Sequence, residues 1–355
     1  CADSLSLREF LGVKLTVATP DHSTLSKTRD RLPIEVHDQA FRLVLAAAAE
    51  KGLLKGKTLG VDSTTLEADA AMRNIVRLDS GEDWKAYVKR LMQEAGEVTE
   101  DDEPTDEEIR RFDKKRKNKK TSNAEWESPT DPDARITKLK DKRTHLAYKL
   151  AHAIDLETEL IVAAEVYHGD HSDSQTLCDT TLQACTHLSK AGREEVFGEV
   201  VADKGYHAAR QLELVQGLSV RTYVPEPESA HARRWTDKRA ELKEAVYANR
   251  RRTKTEKYSR LQKLRSVRGE RSCAHVCDTG GARRTRLRGI EKVRKRLLIT
   301  AAARNLGLLM RKLLGVGKPR ALQGPLASLI NQLDPALQAI LRLIRLVMNR
   351  SSTGC

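Results

Sequence analysis

The sequence lacks the features that mark membrane and exported proteins. No apolar run approaches the roughly 18 residues that a bilayer crossing needs, because Glu50, Arg304 and Arg311 interrupt the most apolar stretches. No positively charged start followed by an apolar segment and a small-residue cleavage site opens the chain, which argues against export. The first residue is Cys1 rather than Met, so we expect a truncated N-terminus.

Cysteine is scarce, with six residues in a chain of 355. The cysteines are spread along the chain, which excludes a disulfide framework and favours a reducing compartment. Cys273, His275 and Cys277 have a spacing that suggests zinc, but no second pair accompanies them, and the pattern favours buried helix residues. Gly280 and Gly281 lack the context of a phosphate-binding loop.

Positive charge is in surplus, with 64 Lys and Arg against 50 Asp and Glu and a formal net charge of +14. Much of the surplus lies in two segments of the last third, residues 231–268 and 283–296. Positive segments of this kind favour a polyanionic partner, because Lys and Arg release condensed counterions from a phosphate backbone. Nucleic acid is therefore the expected partner.

Hydrophobic patterning predicts an α/β fold with a mixed sheet flanked by helices. The predicted order is strand, hairpin, helix, strand, helix, strand, at residues 56–64, 145–166, 173–188, 197–202, 208–216 and 218–224. Short helices before residue 51 form a helical preface. An acidic and then basic stretch, residues 94–120, predicts a flexible surface insertion because it has few apolar residues.

Two acidic residues follow apolar, β-branched segments. Asp62 and Asp203 are each expected to close a strand. Two such carboxylates on neighbouring strands repel each other unless a divalent cation lies between them, and hard oxygen ligands favour Mg²⁺ or Mn²⁺. A third acid from a helix beside those strands would complete a two-metal site for phosphodiester chemistry. The candidates for this third acid are Glu270, Asp278 and Glu291.

Five ordered blocks resemble bacterial insertion-sequence transposases of the DDE type. They are DHSTLSKTR at 21–29, GVDST at 60–64, ADKGYH at 202–207, GERSCAHVC at 269–277 and TGGARRTRLR at 279–288. Several blocks in the right order are more specific than any one of them. The resemblance implies a ribonuclease H-like fold, a catalytic triad that binds two Mg²⁺ or Mn²⁺ ions, and DNA transposition.

Carried over residue by residue, the resemblance implies the catalytic and metal-binding residues Asp62, Asp203 and Glu270, with Glu291 as the main rival for the third acid. Cys273 stands where relatives tend to carry an aromatic residue. The expected division is a helical N-terminal region at 1–55, a catalytic domain at 56–315 with insertions at about 70–135 and 228–262, and a C-terminal helical tail at 316–355. Residues 335–350 of the tail have an amphipathic pattern.

DNA contacts are expected from side chains after the second aspartate and from the positive segments. Trp235 could stack on a flipped base, although ordinary packing explains it as well. The candidate DNA-binding residues are Lys204, Tyr206, His207, Trp235, Arg283, Arg284, Arg286, Arg288 and Lys292.

With this resemblance, the expected function is that of a DNA transposase that cleaves element ends and joins them to target DNA. The expected partner is double-stranded DNA, and the resemblance, not the sequence itself, implies a homodimer on that DNA. No membrane association and a nucleoid-associated location in the bacterial cytoplasm are expected. Two alternatives stay open: a metal-dependent structure-specific nuclease with the same fold, and a truncated DNA-binding relic without catalysis.

Overall fold

The computed structural model describes residues 8–9, 11–14, 16–117, 122–139, 142–193, 197–228, 235–236 and 238–315. The helices are α1 (His22–Arg31), α2 (Ile34–Glu50), α3 (Trp84–Glu94), α4 (Asp106–Lys115), α5 (Asp173–Lys190), α6 (Ala209–Gly217), α7 (Ala240–Arg252), α8 (Glu256–Ala274) and α9 (Ile290–Leu314). The strands are β1 (Thr58–Glu67), β2 (Val76–Arg77), β3 (Trp126–Glu127), β4 (Arg135–Lys138), β5 (Thr144–Asp155), β6 (Ile161–His168), β7 (Glu199–Val201) and β8 (Arg221–Tyr223).

The main sheet has six strands and is mixed, as predicted. Strand β1 lies near its middle, antiparallel to β5 on one edge and parallel to β7 on the other, and β8 continues the parallel part. Strands β4 and β6 pair with successive parts of β5. Helices flank this sheet, and the architecture is consistent with a ribonuclease H-like fold.

The predicted elements are confirmed in order, but Asp62 does not close its strand. Strand β1 continues through Glu67, because residues 59–67 all pair with β5. Only the parallel pairing with β7 ends early, at Gly60 and Val201. Asp62 therefore lies in the middle of a strand whose pairing with β7 has ended two residues earlier, and Arg284 bridges to the same strand further on, at Glu67. Asp203, in contrast, follows the end of β7 as predicted.

The stretch predicted as a flexible insertion contains a regular helix, α4. Thr105 and Glu108 form a capping box at its start. Its first turn is acidic and its last turn is basic, which complements the helix dipole. Ile109 is buried against Val88 and Met92 of α3. The prediction of a loop was wrong because a single apolar stripe is enough for a helix that packs on one neighbour.

The basic segment after residue 231 forms helices where the structure describes it, whereas the predicted C-terminal tail is not among the described residues. Residues 240–252 form α7, and the positive run before Glu270 belongs to the same helix, α8, that carries Glu270. The predicted C-terminal tail, residues 316–355, lies outside the described residues. Within the described ranges, no helix combines the length and apolar character that a membrane crossing requires.

A buried polar network fastens the start of α9 to the sheet. The Tyr148 hydroxyl on β5 donates to Asp131 Oδ1 at 2.6 Å, and the Gly289 amide donates to the same carboxylate oxygen at 3.0 Å. The Ile290 amide donates to Asp133 Oδ2 at 2.9 Å. Carboxylates at a helix N-terminus satisfy its free amides and its dipole, so the network fixes where α9 begins.

Replacing Tyr148 by Phe is expected to lower the free energy of unfolding by about 1–3 kcal/mol, because the buried Asp131 carboxylate loses a donor. Urea unfolding followed by circular dichroism measures this change. The control is Tyr247→Phe, on a side chain that is 37% exposed, which should alter stability by less than about 0.5 kcal/mol. Equal stability of the Tyr148→Phe protein and the unmodified chain would contradict the proposed role of the network.

Candidate active site

Helix α8 passes very close to the carboxylate of Asp62. A Cβ atom added to Gly269 would lie 3.3 Å from Asp62 Oδ2, so only glycine lets the helix backbone approach this far without displacing the acid. Arg265, one turn earlier on α8, places Nη1 3.6 Å from the same oxygen. The other oxygen, Oδ1, accepts the Ser63 amide at 2.9 Å. Asp62 therefore faces α8 and carries charge compensation from that helix.

His152 holds α8 beside Asp62 from the neighbouring strand. It is the direct partner of Asp62 on β5 and is 2% exposed. Burial, together with the charge of Arg304, lowers the pKa of His152 to about 4, and a hydrogen bond to the Gly269 backbone opposes this. Cys273 Sγ lies 3.5 Å from His152 Nδ1. The imidazole is thus neutral at pH 7 and ties β5 to the helix turn that contacts Asp62.

Asp203 and a second acid, Asp173, lie on the two sides of Gly205. The Gly205 amide donates to Asp203 Oδ1 at 2.8 Å. A Cβ atom on Gly205 would meet Asp203 Oδ1 at 3.0 Å and Asp173 Oδ2 at 3.2 Å, so the two carboxylates flank this glycine. Asp203 lies two residues after Val201, the last residue of β7, and Asp62 lies two residues after Gly60, the β1 residue that pairs with Val201. The two predicted acids consequently occupy equivalent places on neighbouring strands.

Asp173, the first residue of α5, is fixed by two donors. The Ser63 hydroxyl donates to Asp173 Oδ1 at 2.5 Å, and Lys149 Nζ lies 2.8 Å from the same oxygen. Successive side chains of a strand point to opposite faces, so Asp62 faces α8 while Ser63 faces α5. Asp173 therefore supports β1 from the face opposite to Asp62.

Tyr206, three residues after Asp203, is fully buried. Burial raises the pKa of its hydroxyl well above the usual value, the Ser63 side chain opposes this, and the charges of Asp173, Asp62 and Asp203 raise it further. The hydroxyl consequently stays protonated at pH 7, in the electrostatic field of the three aspartates.

The three candidates for the third acid lie in different places. Glu270 follows Gly269, so its Cα is about 3.8 Å from the Cα that touches Asp62; its side chain is exposed and accepts from Ser266 Oγ at 3.2 Å. Asp278 pairs with Arg283 at 2.8 Å. Glu291 pairs with Lys295 at 2.6 Å in the first turns of α9.

The donor chemistry at the edge of β1 is that of a hard cation site, since the acids offer only carboxylate oxygens. Asp62 and Asp203 stand on neighbouring strands, and the backbone of α8 reaches Asp62. Across the part of the chain that the structure describes, however, no three His, Cys, Asp or Glu side chains are close enough to hold a metal ion together. The residues suit Mg²⁺ or Mn²⁺ in kind, and a third ligand has to come from a side chain that can turn toward Asp62.

The arginine-rich loop after α8 packs at the far end of β1. The Thr285 amide donates to the carbonyl oxygen of Glu67, and the Glu67 amide donates to Arg283. This end of β1 lies about 16 Å from Asp62 along the strand. Four of the predicted contact residues here have acidic neighbours and large exposed fractions: Arg283 with Asp278, Arg284 with Glu67, Arg288 with Asp69, and Lys292 with Asp30. Arg286 is also exposed.

The remaining predicted DNA contacts divide into exposed and buried side chains. Lys204 is exposed beside Asp203. Trp235 is half-buried, with its ring 6.0 Å from that of Tyr247, and it packs against the core. Tyr206 is fully buried and His207 is 8% exposed. In this structure the two buried side chains offer almost no surface to a DNA strand, so we correct their predicted role to one beneath the site.

Sequence reasoning missed four residues around the aspartates: Lys149, His152, Asp173 and Arg265. Asp173 was predicted only as the first residue of a helix, and Ser172 is the N-cap of that helix. Lys149 and His152 are charged or polar residues in the buried part of a strand, β5. Their position in this strand was the signal by which the sequence could have indicated a functional role. A buried Lys or His in a strand interior is costly without a partner.

The transposase DDE domain family matches this chain over residues 61–306. The match covers more than half of the sequence, so the chain belongs to the transposase DDE domain family. The matched range contains Asp62, Asp203 and Glu270, and the family resemblance is confirmed at this level, which makes the chain a transposase-type enzyme acting on nucleic acid. No curated protein and no solved structure matches it.

The ring of His152 is expected to take up a proton only near pH 4, because burial and Arg304 lower its pKa from 6.5 to about 4. In the unfolded chain the ring is protonated already below about pH 6.5. Stability from this group is therefore complete above pH 6.5 and is lost progressively as the pH falls toward 4. An NMR titration of the ring protons measures the midpoint, and a midpoint above pH 6 would contradict the burial of a neutral imidazole.

Proposed function

We propose that this chain is a DNA transposase that cleaves DNA at the ends of an insertion element and joins the freed ends to target DNA. The observation that carries the proposal is the approach of the Gly269 turn of α8 to Asp62 on β1, with Asp203 at the equivalent place after β7, the strand beside β1. Membership of the transposase DDE domain family supports it.

The catalytic acids of the proposal are Asp62, Asp203 and Glu270, which would hold two Mg²⁺ or Mn²⁺ ions. Such ions, when bound, supply a nucleophile at neutral pH and stabilise negative charge on the leaving oxygen of a phosphodiester. The chain orients two of these acids through amides, Ser63 N–H to Asp62 and Gly205 N–H to Asp203. Glu270 has to turn from Ser266 toward Asp62, and its place next to Gly269 supports this assignment over Asp278 and Glu291.

Neutral groups beneath the acids support the same function. His152 and Tyr206 are buried next to the carboxylates and stay uncharged at pH 7. They therefore fill the space under the acids without adding a fixed charge that would compete with a bound cation or a phosphate. Asp173, held by Ser63 and Lys149, acts in this proposal as a positioning residue for the edge of β1.

DNA would run over the exposed positive side chains next to the site. Lys204 stands beside Asp203, and the loop carrying Arg283, Arg284, Arg286 and Arg288 lies at the far end of β1. Because these contacts are to phosphates, binding should weaken steeply as salt rises. In the proposal, double-stranded DNA is the partner, two copies act together on it, and residues 56–315 form the catalytic domain.

The acid substitutions Asp62→Asn, Asp203→Asn and Glu270→Gln are each expected to reduce Mg²⁺-dependent nicking by about 100-fold or more. Changes to groups merely surrounding a metal cost roughly 10- to 100-fold, and loss of a ligand costs at least as much. The substrate is a plasmid that carries the DNA flanking the coding sequence on both sides, and gel analysis measures the nicked fraction. Duplex binding should persist in all three variants.

Matched controls are Asp278→Asn, which removes the acid of an exposed ion pair with Arg283, and Glu291→Gln, which keeps a hydrogen-bond acceptor beside the buried Lys295. Exposed pairs of this kind contribute little, so nicking should stay within about threefold of the unmodified chain. Loss of nicking in Glu291→Gln but not in Glu270→Gln would identify Glu291 on α9 as the third catalytic acid. Nicking that persists in Asp62→Asn would overturn the assignment of the site.

Strand transfer distinguishes a transposase from a nuclease with the same fold. Pre-cleaved element ends incubated with supercoiled target DNA and Mg²⁺ should give joined products, because the free 3′ hydroxyl attacks the target in the same site. Ends that are cut but never joined would favour the structure-specific nuclease. Salt-sensitive DNA binding without any Mg²⁺-dependent cleavage would identify a relic.

A further inference from the structure

A cavity of about 400 Å³ opens between α8, the turn joining β5 to β6, and the last turns of α9. Its acidic lining residues are Glu157 and Glu159. Thr158 and Leu308 also line it, and the other ionisable residues of its lining are basic: Arg268, Arg271, His275, Arg304, Arg311 and Lys312. Five permanently positive side chains therefore face two carboxylates, and the cavity carries a local surplus of positive charge.

Arg304 is the buried member of this group. It is 5% exposed, and its Nη1 donates to the carbonyl oxygen of Glu159 at 2.6 Å. Burial lowers the pKa of Arg304 to about 10; Glu159 opposes this, while the charges of Arg311 and Arg271 add to it. The fold thus keeps a cation out of water and next to like charges, an arrangement that an anion in the cavity would relieve.

The acids of the cavity do not provide full compensation. The Glu159 carboxylate is shared between Arg271 Nη1 at 2.8 Å and Arg268 Nε at 3.7 Å. His275 Nδ1 is buried and has no hydrogen-bond partner among the described residues. Burial and the charges of Arg304 and Arg311 lower the pKa of His275, so the ring adds no positive charge to the cavity at pH 7.

The position of the cavity connects it to the site. Arg268 and Arg271 flank Gly269 and Glu270 on α8. The turn that forms the opposite wall is anchored to the start of β1, since the Leu156 amide donates to the carbonyl oxygen of Thr58 at 3.0 Å. The arginine-rich loop packs at the other end of β1, on Glu67. Two basic regions therefore lie at opposite ends of the strand that carries Asp62.

We propose that this cavity binds a phosphate group of the DNA backbone and so fixes a strand that crosses the acids between the two basic regions. The inference rests on the proposed function. Arginine dominates the lining, and its planar guanidinium matches the oxygens of a phosphate in a two-point contact. A phosphate held there would be a short distance along α8 from Glu270.

The experiment compares two double variants, each of which removes two positive charges. One variant changes a residue of α8 and a residue of α9, and the control changes two residues of α8. Arg271→Ala with Arg311→Ala empties two exposed positions of the cavity, and Arg260→Ala with Lys263→Ala removes two exposed cations of α8 that do not line it. Binding of a linear duplex without Mg²⁺ is followed by fluorescence anisotropy over a range of salt. The cavity variant should reduce the slope of log K against log salt by about 0.9, the value for one lost phosphate contact, and the control should reduce it less.

A second arm uses inorganic phosphate as the probe and the thermal unfolding midpoint as the readout. Phosphate should raise the midpoint of the unmodified chain and of the control variant, but not that of the cavity variant. Circular dichroism verifies that both variants fold.

The outcomes separate the cavity from the proposed function. Equal salt slopes for the two variants, with phosphate stabilisation unchanged in the cavity variant, would overturn the proposal. If the cavity variant loses stabilisation by phosphate but binds DNA as the control does, the cavity binds free phosphate. This result would overturn the proposal that it contacts the DNA backbone. An unmodified chain that binds no duplex at low salt would contradict the proposed function, while the phosphate arm alone would still decide whether the cavity recognises phosphate.

Discussion

The contact between Gly269 of α8 and the carboxylate of Asp62 is the constraint on which the site depends. An acid from a helix can act with acids from strands only if the helix backbone comes within contact distance of the sheet. Glycine permits this approach, because a Cβ atom at 269 would press on Asp62 Oδ2 at 3.3 Å. His152 holds the same turn through the Gly269 backbone. A larger residue at 269 would therefore push against the Asp62 carboxylate and shift the turn that carries Glu270, the proposed third acid.

Charge around the site follows a consistent arrangement. Asp203 and Asp173 flank Gly205, His152 and Tyr206 are buried and neutral, and Arg265 stands beside Asp62. Neighbouring acids without nearby cations would repel one another and destabilise the fold. Lys149 and Arg265 reduce that repulsion from opposite faces of β1, at Asp173 and at Asp62. The fold thus keeps an acidic edge in a chain whose net charge is positive.

Much of this arrangement could be predicted from the sequence, because local patterns carry it. Apolar, β-branched segments ending near Asp62 and Asp203 predicted the strands, and the order of elements predicted the mixed sheet. The true extent of β1 could not be predicted, since its polar residues 62–65 continue only because β5 pairs with them. His152, Lys149 and Asp173 join the site through strand register and helix docking, which no local pattern encodes. Helix α4 was predicted as a loop although its capping box was present in the sequence.

One helix carries both parts of the proposed chemistry, and its periodicity explains how it can. At about 100° per residue, the residues of α8 point in several directions: Arg265 and Gly269, one turn apart, face Asp62, while Arg268 and Arg271 line the cavity. Glu270, between Gly269 and Arg271 in the chain, is exposed. A change in how α8 docks would shift acid and cations together. In the proposed function, metal ligation and binding of the DNA backbone are therefore coupled through this helix, and a strand held by the cations is placed in a fixed relation to the acids.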